Sequence, residues 1–203
     1  MTDTQPPAPP APVPPVLSER PKRADARRNY EKLLVAAGAA FTEDGASASL
    51  EDIARRAGVG IGTLYRHFPT RQHLLEAVYV DEVEEMSRSA ADLADLPPWD
   101  ALATWLRQFV SYAATKRALG AELLAYADAD ADVFQKCRSA ILTAGDALLA
   151  RAQEAGVART DTTFVEVGRL VGGLSAIRGA EPDEIDRLLD IVLDGLRYRP
   201  PAT

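Results

Sequence analysis

Residues Val59–Phe68 read VGIGTLYRHF and place two glycines, a threonine, a tyrosine, an arginine and a histidine within ten positions. At helical spacing only Leu64 and Phe68 read as core. Ile61, Gly62, Thr63, Tyr65, Arg66 and His67 are then left mostly outside, an unusual surface for a helix of two turns. These groups suit DNA. A threonine bonds a base edge or sets its methyl on thymine, and Gly62 lets the backbone come close. Tyr65 and His67 reach phosphates on either side. Thr70 and Arg71 open the next helix, whose N-terminus is an anion site by geometry and charge; Ser49 does the same one helix earlier. Other readings stay open for single residues. Tyr65 also suits a partly buried core position, His67 suits a helix cap, and His73 reads as plain surface. Arg55 and Arg56 are either solvated or near phosphate.

Positioning such a surface requires a scaffold, and the flanking pattern supplies one. Tyr30, Leu33, Leu34, Ala37, Ala40 and Phe41 follow the i, i+3, i+4, i+7 rule of a helix from Ala24, with Gly45 as its stop. Ser49 caps a two-turn helix in an acidic variant of the capping box with Asp52, and Gly58 is placed for the positive φ that ends it. Two short helices about a tight glycine turn make a helix-turn-helix. Charge agrees: residues 20–75 hold ten Lys/Arg against six Asp/Glu, and residues 76–203 hold thirteen against twenty-two, within a net charge of −7. A basic head on an acidic body suits a polyanionic partner for the head alone.

The stretch Leu50–Val78, LEDIARRAGVGIGTLYRHFPTRQHLLEAV, resembles the helix-turn-helix of the TetR family of bacterial transcriptional repressors. The matching features are Ile-Ala before Ala-Gly-Val, then Gly-Thr-Leu-Tyr, His before an aromatic residue, a basic residue three further on, and Leu-Leu. The resemblance covers about 55 residues, ending at Val78. Gly60 departs from the Ser or Thr frequent in the family; glycine is a weaker N-cap by a few tenths of a kcal/mol.

The remainder reads as helices over about 70–96, 100–116, 120–127, 132–155, 161–178 and 182–198, with no alternating strand pattern. The expected fold class is all-α, with a Pro-rich tail (1–21), a DNA-binding head (22–76) and a ligand-binding and dimerisation body (77–203). The resemblance implies a ligand cavity among the middle helices. Trp105, Phe109, Tyr112, Tyr126, Phe134, Cys137 and Ile141 supply aromatic and soft apolar lining, although each taken singly suits a core position better than a ligand contact. Arg107, Lys116, Arg138 and Arg178 are nearby charges, so the expected effector is largely hydrophobic, and anionic or aromatic. The resemblance also implies a homodimer through the last two helices, for which Gly168, Gly172, Ile185, Leu189, Val192 and Leu196 offer small-residue and apolar stripes; the other reading is that these faces close the chain's own core. Leu123 reads as further lining, and Leu188 as part of the final stripe.

Composition excludes several classes. One cysteine, Cys137, permits no intramolecular disulfide and suits the cytoplasm. Two histidines and one cysteine leave little for a metal site, and no cofactor is expected. ADADADV (Ala127–Val133) has Asp128, Asp130 and Asp132 but lacks the glycine and glutamate of a calcium loop. No apolar run approaches the ~20 residues of a membrane span, and the start has no signal-peptide character. No nucleophile motif points to an enzyme. The expected function is a ligand-responsive repressor binding a palindromic DNA operator as a dimer and released by a small-molecule effector. The rival is a helical small-molecule-binding protein with a vestigial head.

Overall fold

The computed structural model describes residues 20–123 and 131–197. Among these residues eight α-helices follow in order, α1 (Ala24–Asp44), α2 (Leu50–Arg56), α3 (Ile61–His67), α4 (Arg71–Asp92), α5 (Pro98–Leu123), α6 (Ala131–Glu154), α7 (Phe164–Leu174) and α8 (Pro182–Leu196), with a 3-10 turn at Gly45–Ser47. No strand occurs among the described residues; Ala158 and Arg197 make one isolated antiparallel bridge.

The head packs α1, α2, α3 and the start of α4 around Leu33, Phe41, Ile53, Leu64, Leu74 and Leu75, all buried. Each such side chain contributes roughly 1.5–3 kcal/mol by leaving water. Gly45 (φ 53°) ends α1 and Gly58 (φ 68°) makes the turn after α2, both in the left-handed region where a Cβ is strained. The expected boundary at residue 76 falls inside α4. That helix carries Leu74 and Leu75 into the head and Val83 and Met86 into the body, and one continuous core runs through both. Trp105 of α5 fixes the far half of α4 by donating from its indole N–H to the Met86 carbonyl at 3.0 Å. Arg20 binds its outer side, donating to Asp81 and Glu84 at 2.7 Å each.

Two helical expectations change. The segments 100–116 and 120–127 are not two helices as far as residue 123: α5 runs unbroken through Gly120. That glycine is carried inside the helix rather than ending it, and a Cβ there would make only an ordinary 3.9 Å contact with the Tyr79 ring. Residues 124–127 lie outside the described residues. The helix expected over 161–178 is shorter. Thr163, with Glu166 in a reciprocal capping box, starts α7, which ends at Leu174. Asp128 and Asp130 also lie outside the described residues; Asp132 pairs with Lys136 at 2.5 Å.

Candidate nucleic-acid interface and ligand cavity

Local chemistry sets the helix-turn-helix. The Ser49 hydroxyl accepts from the Asp52 backbone N–H at 3.3 Å, a cap worth about 1 kcal/mol. The Asp52 carboxylate does not close a box onto Ser49; it takes Arg55 and Arg56, and Arg56 also reaches Glu43. Those two arginines are thus neutralised on their own side of the head. On α3 only Leu64 is buried. Ile61, Gly62, Tyr65 and Arg66 are exposed, Tyr65 to 45%, while Thr63 is half-buried. Thr70 caps α4 by accepting from the His73 N–H at 3.2 Å.

Two expected contact residues are placed differently from simple surface groups. His67 is half-buried, its ring 6.0 Å from that of Tyr30 and 6.2 Å from that of Phe68. Burial, and secondarily Arg66, lowers its pKa, which favours the neutral ring. Arg71 is not a free cation at the helix start. Its guanidinium donates to the Ala48 and Gly45 carbonyls and lies 4.9 Å from the centre of the Phe41 ring. Sequence spacing places a basic residue at the first turn of α4 but does not show that two carbonyls of the preceding turn have already taken it.

In the body, α5, α6 and α7 line an open cavity of about 740 Å³, with Tyr79 of α4 in its wall. Of the expected lining, Phe109, Tyr112, Phe134 and Ile141 are present. Trp105 and Cys137 sit behind the wall, fully buried; Trp105 stacks on Phe109 at 5.5 Å and its N–H is spent on Met86. Tyr126 lies outside the described residues. Lys116 and Arg138 line the cavity, whereas Arg107 pairs with Asp190 on α8 at 2.8 Å and Arg178 is exposed elsewhere. The sequence reading missed Tyr79, Phe164, Arg117 and Arg169 as lining. Phe164 was detectable as the first apolar residue after a Thr-x-x-Glu cap.

The stripes assigned to a dimer face divide between the chain's own core and its surface. Leu189 and Leu196 are buried within the chain, Ile185 and Val192 are half-buried, and Gly168 and Gly172 face Phe164 and Phe109 at the cavity. Leu188 is half-buried as well. Periodicity identifies an apolar face but not what it meets. The outward apolar residues of this region are Leu170 (59% exposed), Ile177 and Ile191 (68%).

Comparison with known proteins assigns this arrangement. Residues 33–78 match the family described as bacterial regulatory proteins, tetR family. Residues 97–198 match the C-terminal domain of SbtR-like transcriptional regulators. The TetR transcriptional regulator SCO0520 of Streptomyces coelicolor is 40% identical, with a TM-score of 0.75 over 85% of this chain and 99% of that one. The chain belongs to the TetR family.

A TetR regulatory protein from Mycobacterium vanbaalenii is 35% identical, with a TM-score of 0.73 over 88% of this chain and all of that one. The HTH-type transcriptional regulator SAR0097 of Staphylococcus aureus (strain MRSA252) is 35% identical over 85 residues, 40% of this chain and 44% of that protein. The match to that curated relative thus spans under half of its length. This TetR-family member is a DNA-binding transcriptional regulator built on helices. Among the described residues, no helix is long and apolar enough to cross a membrane, and no group of His, Cys, Asp and Glu side chains could hold a metal ion.

Proposed function

We propose that this regulator is a cytoplasmic, ligand-responsive repressor that binds a palindromic operator as a dimer and leaves it when a small molecule occupies the body cavity. The observation that carries the reading is the path of α4. Its cap, Thr70, stands at the end of the helix-turn-helix, and Tyr79 on the same helix forms part of the cavity wall. A helix transmits tilt along its length, so a ligand pressing on Tyr79 moves the base of the recognition helix α3. The ligand must prefer the DNA-incompatible arrangement, because equal affinity for both shifts nothing.

On DNA, α3 lies in the major groove with Thr63 at base edges, while Ser49, Tyr65, Arg66, His67 and Thr70 meet phosphates. Arg71 supports this surface from behind. The outward residues Leu170, Ile177 and Ile191 offer the apolar face for a second copy, which sets the spacing of the two recognition helices.

The test is footprinting on genomic fragments. The expected footprint is a palindrome with half-sites about one helical turn apart, lost on adding an effector. Ligand binding by the body with no footprint on any fragment would favour the rival reading, a small-molecule-binding protein with a vestigial head.

A further inference from the structure

We infer that the cavity between α5, α6 and α7 takes an organic anion, a carboxylate on an extended apolar or aromatic body, with Lys116 as the group that meets the carboxylate. The inference rests on the reading of this cavity as the effector site and narrows its occupant.

Charge is the first support. Lys116, Arg117, Arg138 and Arg169 all line the cavity, and none of its described lining residues is Asp or Glu. This occurs in a chain of net charge −7. The contrast is internal: a smaller cleft beside α1, of about 380 Å³, has Glu43, Asp81, Glu82 and Glu85 in its walls and no basic residue among those described. Charge is thus sorted between the two hollows rather than scattered.

Lys116 is the second support. Its ammonium lies 5.7 Å from the centre of the Tyr79 ring and 5.8 Å from that of Tyr112, and no carboxylate among the described residues pairs with it. Burial lowers its pKa, and Arg138 pushes the same way against a smaller opposing effect of Cys137. Lys116 is half-buried; an ammonium partly withdrawn from water without a counter-charge is disfavoured, and an anion from solution supplies one. Arg117 donates to the Gly172 carbonyl and the Ser175 hydroxyl, each at 3.0 Å. Both acceptors are neutral, and Arg117 is exposed at the rim, so it adds positive charge without a carboxylate partner among the described residues. The rest of the wall is apolar: Phe109, Phe134, Ile141, Leu142 and Phe164. A volume of 740 Å³ suits a ligand of drug size. With four basic residues and an aromatic and aliphatic remainder in its walls, the cavity matches an amphipathic anion. A neutral molecule of the same shape leaves Lys116 uncompensated, and a cation is repelled.

The experiment uses the full chain and three probes sharing one alkyl tail: dodecanoate, dodecanol and dodecyltrimethylammonium, each below its micellar concentration. Binding is read by calorimetry and by tryptophan fluorescence, since Trp105 stacks on the lining residue Phe109. Dodecanoate is expected to bind at least tenfold tighter than dodecanol, and the ammonium weakest. Lys116→Gln should weaken dodecanoate at least tenfold and leave dodecanol within twofold. Arg138→Gln, an exposed position, should weaken dodecanoate less and in the same sense. The inference is overturned if dodecanol equals dodecanoate, if Lys116→Gln affects both alike, or if none of the three binds. Operator release separates the two claims. Dodecanoate held through Lys116 without release of DNA defeats the effector reading and leaves the anion preference standing. Release by a neutral ligand of the cavity, with dodecanoate inert, does the reverse.

Discussion

Arg71 lays its guanidinium over the ring of Phe41, 4.9 Å from the centroid, while donating to the Gly45 carbonyl at 3.1 Å and to that of Ala48. It thereby latches the turn after α1 to the first residue of α4. Arg71→Ala should cost about 1–3 kcal/mol of stability and weaken operator binding on all sequences alike, through a misplaced head. Arg71→Lys should not rescue it, because one ammonium cannot span two carbonyls while stacking on a ring. Thermal melts and binding isotherms check this. An unchanged melting temperature, with the salt slope of binding reduced by about 1, would instead place Arg71 on a phosphate.

Thr63 and Tyr65 are adjacent on α3 and should behave differently. Thr63→Ala is expected to change which base is preferred in each half-site, at about 1–3 kcal/mol. Tyr65→Phe should weaken every sequence to the same degree, because a phosphate contact carries no base identity. Selection from a randomised half-site library reads both effects. Unaltered base preference in Thr63→Ala removes that residue from base readout.

Gly145 of α6 lies directly against the ring of Phe164 on α7. A Cβ there would fall 2.1 Å from the Phe164 ring, a distance no packing tolerates. Gly145→Ala should therefore destabilise by about 1–3 kcal/mol through overpacking. Adding Phe164→Leu should recover part of that loss, a coupling on the order of 0.5–3 kcal/mol. Urea denaturation of the two single variants and the double variant measures it, and strictly additive losses would show that the ring moves aside freely.

His67 makes stability depend on pH in a defined direction. Its folded pKa lies below the ordinary value of 6.5 because of burial and Arg66. The unfolded chain thus binds the proton more readily, and the contribution of this group is complete above about pH 6.5 and lost as pH falls below it. His67→Gln should flatten the pH dependence of the melting temperature between about pH 7 and 5.5. A slope identical to that of the parent protein would assign the acid sensitivity to other groups.

The head was the most legible part of the sequence, because each signal there is local. Ser49, Gly58 and Thr70 act on backbone groups within three residues, and all three behave as their types imply. The body was legible as helices but not as partners. Leu189 and Leu196 form an apolar stripe whether it faces a second copy or the chain's own core, and here it faces the core. Gly120 reads as a break in sequence yet sits within α5, because the packed helix continues through a residue of weak intrinsic propensity. Tyr79 reads as one more core residue of α4 and becomes part of the cavity wall through long-range packing. Arg71 belongs to the same class: its type was evident, while its partners 23 and 26 residues earlier were not.

The most direct measurement is the salt dependence of operator affinity, followed by fluorescence anisotropy on the promoter fragment beside the protein's own gene. If Arg66 and other cations of the basic head meet phosphates beside the neutral caps of α2 and α4, log affinity should fall linearly with log salt at about −0.9 per phosphate neutralised by a cation. The titration should saturate at two protomers per palindrome, and Tyr65→Phe should weaken it. Affinity indifferent to salt, or no binding to any genomic fragment, would contradict the account of this chain as a DNA-binding regulator.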